Sequence, residues 1–301
     1  MIPEAFPVTP KAPLIYVNVC ETSTCQNLKS LSFFNLLILG LAFLKPPQTM
    51  STSTTQTYQD LLKRATETIS KYPLATTIGG ALILSLSWTV WDFQEWKSFG
   101  TGGTPPTWAG YMRMTKFRLN RLMSSDDLCD PSPLKTDGPR YLKAGLKRRE
   151  GSRPKIISRT MPQRQQPEKI DPQTRQRLQS MMQTLAEKHP ELLEVRPSKT
   201  EGGTTDAIYA RPDLEKLNPQ AKDPILNHEI AHAHPAENSL HVWLSDPDAR
   251  TVIEAGWGQR FPLTFVKSGW VMVYAPRNLD EVEVVEEIVR AGIAWITGVE
   301  V

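Results

Sequence analysis

The chain has 301 residues, 40% hydrophobic and 22% charged, an ordinary balance for a globular domain with room for one sizeable core and extensions. A net charge of +3 is too small to recommend nucleic acid as a partner. Three cysteines define no disulfide framework, and no Asn-x-Ser/Thr acceptor is present, which argues against a heavily glycosylated secreted protein.

Two apolar stretches come first. "LSFFNLLILGLAFL" at 31–44 is interrupted by Asn35 and is short for a bilayer span, nearer to a signal-peptide core. Met50 then opens "MSTSTTQTYQDLLKRATETISKYP" in the manner of a natural start. Residues 1–49 are therefore expected to be an extension of the gene model. "LATTIGGALILSLSWTVW" at 74–91 has 18 uncharged residues, with Tyr72 ahead of it and Trp88 and Trp91 at its far end. Aromatics at both ends suit the two interfaces of a membrane. Residues 50–98 are thus expected to form a single-pass membrane anchor; a buried core helix is the alternative.

The stretch "FGTGGTPPTW" at 99–108 is a hinge that opens a basic, Pro/Gly-rich connecting region over 99–170. Within it, "RYLKAGLKRREGSRPKIISR" at 140–159 is dense in Lys and Arg with a single Glu. It reads as a solvated surface or, close to a membrane, as a contact for anionic lipid headgroups. From Asp171 the pattern sharpens. "DPQTRQRLQSMMQTLAEKHP" predicts an amphipathic helix ending at Pro190, with Leu178, Met181, Met182 and Leu185 on one face. "ELLEVRPS" and "TDAIYARP" predict short strands. "DPDARTVIEAGWG" predicts a helix capped by Ser245 and stopped at Gly256. "GWVMVYAPR" at 269–277 predicts a buried strand, and the last helix opens with Asn278 and Glu281 at capping-box spacing. Together these predict an α+β domain over 171–301, a small antiparallel sheet with flanking helices, preceded by one N-terminal transmembrane helix.

Four of the five histidines fall in "NHEIAHAHPAENSLHVWL", 227–244. His228-Glu229-Ile230-Ala231-His232 spells the H-E-x-x-H of zinc peptidases, which need that motif on a helix so that both imidazoles share one face. Pro235 follows too soon for such a helix. The alternative is a hairpin: "EIAHAH" and "SLHVWL" alternate on either side of the turn residues "PAENS". His232, His234 and His241 then converge from two adjacent strands, with Trp243 on the face of His241. Three such imidazoles suit a divalent metal ion or general-base chemistry equally.

"EIAHAHPAENSLHVWLSDPDARTVIEAGWGQRFPL" and "VYAPRNLDEVEVVEEIVRAGIAWITG", with "RREGSRPKI", "PQRQ" and "WDFQEW" upstream, resemble the fungal luciferase family over roughly residues 74–298. The resemblance implies a membrane-anchored oxygenase, with the endoplasmic reticulum or another endomembrane as its place. The luminous enzymes add O₂ to a styryl-α-pyrone, 3-hydroxyhispidin. Loss of CO₂ from the peroxide then leaves an excited product. O₂ is a co-substrate and neither flavin nor nicotinamide is required. Carried onto this chain, the resemblance implies His232, His234 or His241 as base or metal ligand. It also implies Arg260 and Arg277 as anchors for an enolate, and Trp257, Tyr274 and Trp243 as substrate contacts. Luminous members carry histidine after G-W-G-Q-R, where this chain has Phe261, and "TFVKSG" is shorter than their loop. A different aromatic or polyketide-type substrate and no light emission are therefore expected. A noncatalytic small-molecule-binding domain and a metallopeptidase using Glu229 are the other readings.

Overall fold

The computed structural model describes residues 52–142, 145–159 and 161–301. The expected extension at 1–49, with Cys20 and Cys25, lies outside them. Helix α1 runs Thr52–Lys71 and helix α2 Pro73–Phe99. The chain divides into two compact units within α2, at Trp88/Thr89.

Helix α2 has 27 residues and is long and apolar enough to cross a membrane. Its side chains Leu74, Ile78, Leu82, Ile83, Leu84 and Leu86 are all exposed. It lies inside the chain rather than at its start and continues past the predicted span. The extra turns are the "WDFQEW" segment, which belongs to the second unit. There Asp92 is buried, accepts a hydrogen bond from the Tyr111 hydroxyl at 2.8 Å, and pairs with Arg159 and Arg118. Helix α3, Trp108–Leu122, is capped by Thr107, whose hydroxyl accepts from Gly110 N–H. It completes an aromatic cluster in which Phe93 stacks on Trp108 with centroids 4.0 Å apart, beside buried Trp96 and Tyr111.

The helix predicted over 171–190 is two short ones, α4 (Pro172–Gln179) and α5 (Met181–Lys188), broken at Ser180. Leu178, Met181, Met182 and Leu185 are buried as the pattern requires. Six antiparallel strands follow: β1 Leu193–Pro197, β2 Asp206–Ala210, β3 Glu229–Ala233, β4 Leu240–Trp243, β5 Gly258–Arg260 and β6 Trp270–Val273. They pair in the order β1-β2-β3-β4-β6-β5. Helix α6, Asp246–Glu254, starts on Ser245 and ends before Gly256 at φ +84°, a conformation that suits glycine. Helix α7, Leu279–Thr297, starts on Asn278, which accepts from Glu281 N–H at 3.0 Å. The capping box stays open, because the Glu281 carboxylate accepts instead from Arg277 N–H and the Arg277 guanidinium.

One sheet face is the apolar core, where α7 residues such as Ile288, Ile293 and Ile296 meet Ile230, Ala231, Ala233, Leu240 and Val242. Close approach depends on Gly292: a Cβ there would sit 2.9 Å from Trp243 O and 3.0 Å from Val242 Cγ1. Gly292→Ala is expected to destabilise the protein by about 1–3 kcal/mol through overpacking, read as a lower denaturation midpoint in urea.

The basic run at 140–159 spends several cations on the fold itself. Arg149 is buried, with its guanidinium 5.8 Å from the Trp257 ring centroid and 5.7 Å from that of Tyr274. Arg153 reaches Ile253 O, and Arg159 pairs with Asp92 and Glu95.

Candidate functional site

The opposite sheet face carries the histidines, and a β-bulge arranges them. Ala231 pairs with Ile208, yet Tyr209 pairs with Glu229, so two steps of β3 oppose one step of β2. The extra residue, Ile230, packs its Cγ2 toward Gly292 on the core side. A bulge of this kind resets the alternation of a strand, and Glu229 therefore lands on the same face as His232 although three residues separate them. His232 lies directly opposite His241 in the β3–β4 ladder. His234 follows at the hairpin, where its N–H donates to Ser239 O at 2.9 Å and Asn238 turns the chain at φ +68°.

The three imidazoles meet with ring centroids 5.0–5.3 Å apart, and all three are almost fully buried. His232 Nε2 stands 3.1 Å from His234 Nε2. Glu201, from the turn between β1 and β2, joins them. Its Oε1 is 3.5 Å from His232 Nε2 and 3.7 Å from His234 Nε2, and one ligand atom from each of Glu201, His232, His234 and His241 lies within 4.8 Å of the others. A second ring of groups holds the first. Glu229 accepts from His232 Nδ1 at 2.7 Å and is itself fixed by Ser198, Thr200 and Tyr209 hydroxyls. His234 Nδ1 lies 2.9 Å from Glu237 and 3.0 Å from the Ser239 hydroxyl. Arg164 pairs with Glu201 and stands 3.8 Å from Glu237.

Electrostatics follow from this geometry. Burial works against a charge on His232, but hydrogen bonds to Glu201 and Glu229 overcome it and raise the imidazole to about 9. Burial opposes ionisation of Glu229 as well, and the His232, Ser198 and Thr200 hydrogen bonds bring it down to about 2. Burial holds His234 and His241 well below the usual histidine range and lifts Glu237 to about 7.

The helical geometry that a zinc peptidase needs is absent. Asn227 and His228 turn at φ +46° and +70°, and His228 stands ahead of the extended strand, its N–H donating to Ala221 O. The remaining residues named from the sequence lie elsewhere. Arg260 pairs with Asp126 and donates to the carbonyls of Asp127 and Asp130. Arg277 pairs with Glu281, one helical turn away. Trp257 donates its Nε1–H to Lys147 O at 2.6 Å, and the Tyr274 hydroxyl meets Gln259 and Cys129. Trp243 lines a separate cleft with Ser245, Gly269 and Trp295. As placed, neither Arg260 nor Arg277 borders the imidazoles; the guanidinium that does is Arg164. Ion pairs elsewhere and core packing hold the others.

Sequence reasoning missed Glu201, Glu237 and Arg164 as members of the cluster. One signal was available: "PQRQ" at 162–165 is a polar tetrad that the fold buries. Gln163 donates to Arg260 O, Gln165 accepts from Ala275 N–H, and Arg164 between them turns to the carboxylates.

A family model described as "Luciferase domain" matches residues 227–292, from the bulged strand to most of α7. The luciferase of Neonothopanus nambi is 31% identical over 245 residues, which is 76% of this chain and 90% of that protein. The chain belongs to the luciferase-domain family. Luciferases of Armillaria gallica and Armillaria mellea align at 30% and 29% identity over 68% and 72% of the chain, and 80% and 85% of their own length. No solved structure matches. The part matched by the luciferase-domain model contains all three clustered histidines and leaves out Glu201 and Arg164, which come from upstream segments of the same fold.

Proposed function

We propose that this protein is a luciferase-like oxygenase, tethered to an endomembrane by α2, that uses O₂ on a small electron-rich aromatic or α-pyrone substrate without emitting light. One observation supports this above others: an aromatic-walled cavity shares its walls with the buried imidazoles. The cavity, about 300 Å³, is bordered by Phe117, Phe261, Phe265 and Trp270, and falls at the small end of ligand sites. The Trp270 ring stacks on His241 at 5.6 Å and 16°, and Phe261 meets the same imidazole edge-on at 5.3 Å. Thr200, another wall residue, places its hydroxyl 3.5 Å from His232 Nδ1.

Flat apolar walls hold a planar ring, and Arg113 brings positive charge to the same cavity, where it favours an enolate over its enol. Such an anion is electron-rich enough to pass an electron to O₂. Phe261 replaces the histidine of luminous members at a wall of the cavity, so the preferred pyrone is expected to carry different substituents from theirs. The membrane tether is supported by the length and composition of α2.

The test is O₂ uptake by the full-length protein in detergent with a hydroxylated styryl-α-pyrone. Consumption that depends on both pyrone and protein is expected, with a raised KM in Trp270→Ala. Tight binding of the pyrone with no O₂ uptake would overturn the oxygenase and leave a small-molecule-binding domain.

A further inference from the structure

We infer that Glu201, His232, His234 and His241 together hold one divalent first-row transition-metal ion. The inference deepens the oxygenase reading by naming what the imidazole cluster is for, but it stands on separate observations.

The first is convergence. Four ligand atoms, three nitrogens and one carboxylate oxygen, lie within 4.8 Å of one another in a pocket of buried side chains. The second is that the outer partners leave the inner atoms aimed at one point. Glu229 occupies Nδ1 of His232, Glu237 and Ser239 occupy Nδ1 of His234, and Arg164 takes one oxygen of Glu201. What remains facing inward is Nε2 of two imidazoles and Oε1 of Glu201. Carboxylates behind ligating imidazoles are the usual way of fixing tautomer and ring orientation at a metal. The third is an orphan: His241 Nδ1 is buried without a hydrogen-bond partner, a state that costs free energy unless something else uses the ring.

Composition points the same way. Three buried carboxylates, Glu201, Glu229 and Glu237, gather around one buried guanidinium, Arg164, an excess of acidic groups that a bound cation would balance. The donor set selects among such cations: imidazole with one carboxylate suits iron, manganese, cobalt, copper or zinc, whereas magnesium and calcium prefer all-oxygen shells and retained water. Three of the four ligands sit on one hairpin, His232 and His241 in direct register, so the site is built before an ion arrives. Beside the aromatic cavity, a redox-active ion would supply Lewis-acid and one-electron chemistry.

Full-length protein in detergent, stripped with a chelator, is titrated with Co(II) and followed by visible absorption. The expected result is a ligand-field band that saturates at one equivalent per chain. Affinity should fall by at least about tenfold in His241→Ala and Glu201→Gln and by about 10–100-fold in Glu229→Gln, and remain unchanged in His228→Ala. Circular dichroism checks that each variant folds; if one does not, the titrations of the unmodified chain and of Glu229→Gln still decide. No saturable band, or a band that persists at full affinity in folded His241→Ala and Glu201→Gln, overturns the site. The readout uses neither substrate nor O₂. Its failure therefore leaves the O₂-uptake reading standing, while a metal-loaded chain that consumes no O₂ overturns the oxygenase and keeps the site.

Discussion

Replacing His232 by alanine is expected to reduce pyrone-dependent O₂ uptake by about 10²–10⁴-fold, the range for loss of a positioned side chain that handles protons or charge at a reacting centre. His232 is the centre of the cluster: Nδ1 is held by Glu229, and Nε2 faces both His234 and Glu201. Its removal takes away one inward nitrogen and the group that Glu229 orients. The fold should survive, because Glu229 keeps its hydrogen bonds from Ser198, Thr200 and Tyr209. The companion variant Arg277→Ala separates the present site from the one implied by resemblance. Its guanidinium is committed to Glu281, so O₂ uptake is expected to stay at the unmodified rate. An oxygen electrode with the detergent-solubilised protein measures both. A large loss in Arg277→Ala with none in His232→Ala would move the chemistry away from the hairpin.

The second large effect is on stability. Arg164→Met in metal-stripped protein is expected to cost about 3–5 kcal/mol, the penalty for leaving a buried charge without its partner. Arg164 is 5% exposed, and its partners Glu201 and Glu237 are 5% and 1% exposed, so water does little to replace the lost guanidinium. For a folded unit of this size the loss corresponds to a fall in Tm of roughly 6–20 °C, measurable by circular dichroism. Adding Glu201→Gln to Arg164→Met removes one of the stranded carboxylates and should recover part of the loss. If the double variant melts lower than Arg164→Met, charge burial is not the cause.

Much of the frame was legible in the chain itself. Ser245, Gly256 and Asn278 sit where the residue types demand, since caps depend on a few neighbouring backbone groups. Pro235 and the alternation in "EIAHAH" and "SLHVWL" favoured a hairpin over a helix and let the three histidines converge from adjacent strands. The direct pairing of His232 with His241 came from the ladder itself. Alternation also misled. It would put Glu229 on the face opposite His232, and only the bulge at Ile230 brings the two together. The bulge depends on pairing with β2 some twenty residues away, a register that no local pattern records. Of the aromatic and cationic residues carried over by resemblance, Trp257 and Tyr274 lie in the core, Arg277 pairs with Glu281, and Arg260 pairs with Asp126 from a distant upstream segment.

The amino-acid order alone determined the α+β class, the hairpin, the three histidines and the family, because each follows from short-range spacing or from direct similarity. The tertiary structure decided the rest: that Glu201 and Glu229 face those histidines, that Arg164 rather than Arg260 or Arg277 is their guanidinium, and that Phe261 and Trp270 wall the cavity. These choices are made by burial. A carboxylate or guanidinium taken out of water must find its partner wherever the packed chain brings one, and for Arg164 the partners Glu201 and Glu237 lie thirty-seven and seventy-three residues further along the chain.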